Sequence, residues 1–431
     1  MNQINLFSQN IEKNEMKNKT TFVDNMKLPI HRWYRYSAGY SSEWVKKVIG
    51  DLNLKEKSLI LDPFAGSGTT LLSAQEKGVV SFGFEKHYFV KKIAEIKSNW
   101  HLIDEKKYIE KIQKIIFISE NDLKEPLLLT NKLLSKCYSY PSMQKLEALK
   151  RNYKNLKSKE DKNIDDLLWL TITSILRSTS DAGTAQWQYV LPNKRKKNVK
   201  EPFEAFLEKG LQIVSDIQFA KKQYKMSKSF VLDFDARNSH PDLVNLVDLV
   251  VTSPPYPNNY DYADATRLEL YFWDEISKWS DLQSKIRTNL MHSCSQHTAS
   301  EKLELHKILS DKSLLPIYDE IKEVCEKLAE VRLTKGGRKS YHTMIAAYYL
   351  DIAKTFISMR KMMKTDSTMC WVIGDSAPYG VYAPADEWMM KLALHVGFKD
   401  AYFEKVRDRN TKWKNRKHDV LLKEGLLWIK G

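Results

Sequence analysis

Cysteine is scarce in this chain and poorly placed for bonding. Four residues, Cys137, Cys294, Cys325 and Cys370, are spread across 431 positions, and none belongs to a C-x-x-C pair. That spacing excludes a disulfide scaffold and a cysteine-based zinc site, and no metal-ligand pattern is read elsewhere in the sequence. Glycine and proline are sparse as well, 15 and 13 residues, and form no Pro/Gly/Ser linker. No apolar run approaches the ~20 residues of a membrane span. The first residues, MNQINLFSQNIEKNEMKNK, lack the charged start and apolar stretch of a signal peptide, so a cytoplasmic protein with no membrane partner is expected. Acidic residues are also in deficit. Asp and Glu number 54 against 69 Lys and Arg, a formal charge of +15. Such a surplus favours a polyanionic partner, but scattered lysines used for solubility account for much of it, and charge alone does not decide.

The length corresponds to two or three domains, or to one large domain with insertions. Residues 1–27 are polar and read as a tail. Over 28–100, helix and strand patterns alternate: Ser42–Leu52 helical, Lys57–Leu61 a short apolar strand, Thr69–Lys77 helical, Val79–Glu85 a second strand. Alternation of this size predicts a parallel, doubly wound sheet. Residues 101–227 turn helical and lysine-rich and read as an insert. Strands return at Ser229–Phe234 and Asp248–Thr252 within 228–264. Residues 265–338 read as a second helical insert. The stretch 339–431 adds the helix Tyr341–Met363, the strand Met369–Ile373, the helix Ala385–Val396 and two further strands. The expected fold is therefore α/β, a Rossmann-like doubly wound sheet interrupted by mainly helical inserts.

The first strand runs into Asp62-Pro63-Phe64-Ala65-Gly66-Ser67-Gly68-Thr69-Thr70. A glycine-rich turn between a strand and a helix lets a ligand approach the backbone closely. A phosphate-cradling loop would need Lys after the second glycine, where Thr69 stands. A dinucleotide fingerprint would need a third glycine where Leu71 stands. An adenosylmethionine site remains, with Asp62 available for the methionine ammonium and Glu85, at the end of the next strand, for the ribose hydroxyls. The second informative segment is Thr252-Ser253-Pro254-Pro255-Tyr256, which follows another apolar strand. Prolines make such a loop stiff and rich in acceptors. The lone pair of an exocyclic amine is delocalised into its ring. Two acceptors on its protons, Ser253 Oγ and the Pro254 carbonyl, would free that lone pair. Tyr256 can stack on a base turned out of a duplex. The aromatics of Pro257–Tyr262 line a base pocket or belong to the core.

The first segment closely resembles the cofactor motif of amino-methylating DNA methyltransferases, and Thr252–Tyr256 resembles the catalytic motif of their cytosine-N4 members. Adenine-N6 members more often carry Asp or Asn at the position of Ser253. The resemblance implies S-adenosyl-L-methionine as cofactor, held by Asp62, Pro63, Phe64, Ala65, Gly66, Ser67, Gly68, Thr69 and Glu85. It implies that Asp235 contacts the adenine amine, and that Ser253, Pro254, Pro255 and Tyr256 form the catalytic loop. The implied partners are double-stranded DNA and a cognate restriction endonuclease. His31–Tyr36 with Ser41 and Ser42 resembles the family's additional cofactor segment. Cofactor motif first and catalytic motif second is the reverse of many cytosine-N4 enzymes. In this order the target-recognition region often lies between the motifs, which points to 101–227, with 265–338 as a second candidate. Lys194, Arg195, Lys196 and Lys197 in the insert, and Lys412 and Arg416 near the C-terminus, are candidate DNA contacts. Asp375 and Ser376 line the site or simply turn the chain after a strand. Cytosine-C5 methylation would need a cysteine, usually after proline, and no cysteine here follows one. The rival readings are an adenine-N6 DNA enzyme, an RNA exocyclic-amine methyltransferase, and a catalytically silent nucleic-acid-binding module.

Overall fold

The computed structural model describes residues 22–54, 57–125, 130–185, 188–409 and 420–431. Nine strands are found among them. They are β1 Leu59–Asp62, β2 Val80–Phe84, β3 Ala182–Thr184, β4 Val190–Arg195, β5 Ser229–Leu232, β6 Val247–Thr252, β7 Met363–Gly374, β8 Asp400–Arg409 and β9 Leu422–Lys430. The longer helices are α1 Ser42–Asp51, α2 Thr69–Lys77, α3 Tyr88–Ser98, α4 Glu105–Glu120, α5 Tyr140–Asn155, α6 Lys162–Ile175, α7 Pro202–Gln223, α8 Tyr318–Val331, α9 Tyr341–Met362 and α10 Ala385–His395.

Seven strands form one sheet in the order β5-β2-β1-β6-β7-β9-β8. Its pairs are parallel from β5 to β7, and β9 runs antiparallel between β7 and β8. The chain builds outward from β1 through β2 to β5, then crosses back to lay β6 on the other side of β1. The carboxyl ends of β1 and β6 therefore flank the point where strand order reverses, which is where ligands of open α/β sheets bind. This is a Rossmann-like, doubly wound sheet.

Both faces of the sheet are covered, as a parallel sheet requires. Alternation along the central strands sends Leu61, Val250, Met369, Trp371 and Ile373 to one face, against α8, α9 and α10. It sends Ile60, Leu249, Val251, Cys370 and Val372 to the other, against Trp44, Val45, Val48 and Ile49 of α1. Each such side chain contributes about 1.5–3 kcal/mol by leaving water. Ser41 caps α1, accepting from the Trp44 N–H.

The first insert packs α4, α5, α6 and α7 into an apolar cluster that also takes in Trp33, Tyr34 and residues 268–286. Polar ties fix it to the segment before β1 and to the second insert. Asp216 of α7 accepts from Ile30 N, Arg32 and Trp33 Nε1. Arg177 forks onto Glu269, which is fully buried, at 2.6 and 2.9 Å. The insert is not wholly helical: β3 and β4 form an antiparallel hairpin inside it.

Candidate active site

Two loops meet at the switch point. The first leaves β1 at Asp62, whose carboxylate is fully buried. Asp62 Oδ1 accepts from Phe64 N at 3.0 Å and from Thr252 Oγ1 at 2.5 Å, and Oδ2 accepts from Tyr40 Oη at 2.7 Å. Thr252 ends β6, so Asp62 staples the two motif-bearing strands together from below. Burial raises its pKa, against the pull of these hydrogen bonds. Its oxygens lie under the loop, not among the side chains lining the cleft above it.

The loop then turns through Gly66 and Gly68, at φ 51° and 88°, a region where side chains with a Cβ are strained. A Cβ on Gly66 would also stand 2.9 Å from Tyr36 Cε1. Gly66 N–H donates to Glu85 Oε2 at 2.9 Å, and His87 N–H donates to Oε1 at 2.7 Å. Burial pushes the Glu85 carboxyl up to about 7, because these two donors only partly offset the loss of water. Beneath the turn, fully buried Lys97 of α3 donates from Nζ to the Ser67 carbonyl at 2.9 Å, and burial pulls its pKa down to about 7.

The second loop follows β6. Ser253 and Pro255 line the same cleft as Pro63, Phe64, Gly66 and Glu85. Ser253 Oγ lies 3.4 Å from the Val372 carbonyl, to which it donates. Tyr256 is not among the residues lining this cleft. The Arg409 guanidinium lies over its ring, 5.2 Å from the centroid, and donates from Nη1 to the Asp375 carbonyl at 3.0 Å. Ser376 Oγ donates to the Pro257 carbonyl. The Asp375 carboxylate accepts from Tyr382 Oη, Ala385 N and Lys423 N. Asp375 and Ser376 thus hold the catalytic-motif loop and the strands behind it. Beyond Pro257, Tyr262 lines the cleft, while Tyr260 is buried beside Tyr189 and Tyr262.

The cleft is open at its mouth and is lined by residues of both motif loops. Its lining combines polar groups, Glu85, Asp235 and the glycine turn, with the apolar side chains of Phe234, Leu290 and Met291. Asp235 is gripped by Arg237, which also reaches Asp351 of α9 at 3.1 Å. This set fits S-adenosylmethionine. Glu85 keeps acceptor capacity for a hydroxyl pair, a flat apolar slot suits a purine, and the close glycine backbone admits a ligand. The sequence-predicted residues Pro63 to Ser67, Thr69, Glu85, Asp235, Ser253 and Pro255 line one cavity. Asp62, Gly68 and Tyr256 are not among its lining residues.

The candidate DNA contacts lie elsewhere. Lys194 and Arg195 end the hairpin strand β4, and Lys194, Arg195 and Lys197 are exposed. Arg195 Nη1 donates to the Lys136 carbonyl at 3.2 Å. Lys196 is turned inward, its ammonium on the Arg177 carbonyl, and burial lowers its pKa. Lys412 and Arg416 fall outside the described residues. Sequence reasoning missed Tyr40, Lys97 and Arg409 as supports of the site. Tyr36, from the segment before β1, wedges the glycine turn as well as lining the cleft.

Residues 4–96 match a family model described as a DNA methylase of the N6/N4 methyltransferase type. Over 93% of its length the chain is 26% identical to the Type II methyltransferase M.BsoBI of Geobacillus stearothermophilus, covering 85% of that protein. It is 24% identical to the Type II methyltransferase M.AvaI of Nostoc sp., covering 88% of this chain and 81% of that one. A shorter match of 48 residues, 50% identical, relates 11% of the chain to 16% of the Type II methyltransferase M.HindIII of Haemophilus influenzae. By the strand order, the switch-point cleft and these likenesses together, the chain is similar to the amino-methylating DNA methyltransferases, a family whose methyl donor is of the S-adenosylmethionine type.

Proposed function

We propose that the protein transfers a methyl group to the N4 amine of cytosine in double-stranded DNA, as the modification partner of a restriction endonuclease. The observation that carries this reading is the convergence of Ser253 and the glycine turn on one cleft. S-adenosyl-L-methionine, when bound, supplies an electrophilic methyl group. Glu85 would accept the ribose hydroxyls, Asp235 would accept from the adenine amine, and the N-terminus of α2 would favour the methionine carboxylate. Ser253 Oγ and the Pro254 carbonyl accept the two protons of the target amine. That pairing withdraws the nitrogen lone pair from the ring. Tyr256, braced on one face by Arg409, offers its other face to an extruded base. A serine at 253 supports cytosine N4 over adenine N6, and the Type II names of the relatives support a restriction–modification setting. Lys194, Arg195 and Lys197 are proposed to meet phosphates.

Incubating the protein with labelled cofactor and unmethylated DNA, then digesting the DNA for mass spectrometry, is expected to yield N4-methylcytosine. N6-methyladenine instead would retain the amine-methylating machinery and overturn the base assignment. Label confined to RNA would move the target.

Glu85 makes cofactor binding pH-dependent. Its carboxyl titrates near 7 in the free protein, and the ribose hydroxyls need its anionic, accepting form. Ligand binding then releases a proton. Affinity should hold above pH 7 and fall as pH drops through 7, by up to about tenfold per unit. Calorimetric titration from pH 5.5 to 8.5 reads this. Glu85→Gln should flatten the profile, and a wild-type affinity independent of pH would remove Glu85 from the ribose.

A further inference from the structure

Beside the cofactor cleft, the chain segment 289–297 forms a strap. Leu290 and Met291 wall the cleft, and the next residue, His292, turns back toward α9. His292 Nδ1 lies 2.7 Å from Asp351 Oδ2, and its backbone N–H donates to the same oxygen at 3.0 Å. His292 Nε2 faces Glu301 Oε2 at 2.9 Å, and His297 Nε2 faces Glu301 Oε1 at 2.8 Å. The two imidazoles stack, with centroids 4.3 Å apart and planes inclined by 23°. His297 and Glu301 share one face of a short helix, Ser295–Glu301. Their donor atoms and that of His292 all lie within 4.8 Å of one another.

We propose that His292 Nε2, His297 Nε2 and the Glu301 carboxylate bind one divalent transition metal ion, zinc foremost, which fastens the strap to the short helix Ser295–Glu301 beside the cofactor cleft, with Asp351 of α9 behind His292. Two imidazoles and one carboxylate select a borderline metal over magnesium or calcium. The donor spacing needs only a small spread, since ligands about 2.0–2.1 Å from a tetrahedral zinc stand roughly 3.3 Å apart. Asp351 supplies the second requirement of such a site, a carboxylate on the other ring nitrogen that fixes the tautomer leaving Nε2 free to bind. The charges agree. Arg237 pairs with Asp235 and Asp351, while the ion-pair partners of the Glu301 carboxylate among the described residues are the two imidazoles, so two guanidinium-bound carboxylates and Glu301 share one fixed positive charge. With both imidazoles neutral, a divalent ion balances the excess. His297 is 2% exposed and His292 14%, while Glu301 at 27% leaves an entry path and room for a water as fourth ligand. The relay from Asp351 through Arg237 to Asp235 connects the ion to the lining of the cleft.

The test uses the full chain, stripped with chelator and dialysed against micromolar zinc, with bound metal counted by elemental analysis. One equivalent is expected, and cobalt substitution should give visible d–d bands without a thiolate charge-transfer band. His297→Gln and Glu301→Gln, checked for folding by melting of the metal-free forms, should each bind at least about tenfold more weakly. Failure of the wild type to retain zinc would overturn the proposal, as would unchanged binding in both variants. The cluster would then be a protonated His292 clamped between Asp351 and Glu301, visible as an imidazole titration by NMR. If a variant does not fold, the wild-type stoichiometry and the cobalt spectrum still decide.

Discussion

Replacing Ser253 by alanine should reduce kcat by about 10²–10³ while leaving cofactor affinity within about twofold, the cost of deleting one positioned polar group that acts in the transition state. Ser253 lies in the wall shared by the two motif loops, with its Oγ near the Val372 carbonyl. Alanine keeps the backbone of the stiff Pro-Pro turn, including the Pro254 carbonyl, and removes only the side-chain acceptor. One amine proton then has no partner, and the nitrogen lone pair stays conjugated with the ring. Single-turnover methylation with saturating cofactor isolates that step, and equilibrium cofactor binding controls for collapse of the cleft. A variant that methylates at the wild-type rate would mean Ser253 does not touch the amine. A large rise in cofactor Kd with normal turnover would make it a cofactor ligand instead.

Much of this site is legible in the sequence because its geometry is local. Gly68 and Gly78 bound α2 at both ends with left-handed backbone, and the helix observed is the one the glycines predict, Thr69–Lys77. The strand cores around Ile60, Val250 and Trp371 are apolar on both faces and read as buried strands. Legibility fails where polarity and distance intervene. Strand β7 begins at Met363, six residues before the strand read at Met369–Ile373, because its first half, Lys364–Ser367, is polar and carries no apolar strand pattern. The β3–β4 hairpin is hidden because β4 is mostly exposed, and its end reads as a basic run. The supports of the site come from remote segments obeying no spacing rule: Tyr40 on Asp62, Lys97 on the Ser67 carbonyl, Arg409 on Tyr256, Asp351 on His292. Charge counting likewise does not reveal that Lys196 is spent on a carbonyl of its own chain.

Arg287→Met should destabilise the protein by about 3–5 kcal/mol, because it leaves a carboxylate buried without its counter-ion. Arg287 and Asp261 have side chains only 2% and 6% exposed, and they meet at 2.6 Å through Nη2, with Nε at 3.1 Å. The guanidinium also lies over Trp279, 4.5 Å from the ring centroid. Asp261 follows the catalytic-motif loop closely. Its Oδ1 caps the short helix Tyr262–Ala265 by accepting from Ala263 N and Asp264 N. Nearby, Asn259 Oδ1 accepts from Ser295 N and Oγ, so the loop and the strap are held by adjacent ties. Methionine preserves volume but not the fork, so the loss is electrostatic. Arg287→Lys should recover only part of it, since a point charge cannot serve both Asp261 oxygens in one plane. Adding Asp261→Asn to Arg287→Met should recover more than the lysine does. The amide oxygen still caps the helix, and no unpaired charge remains in the core. Melting temperature across the four proteins reads the pattern. A single Arg287→Met variant that melts with the wild type would show that water reaches Asp261, and that the tie between loop and strap is not electrostatic.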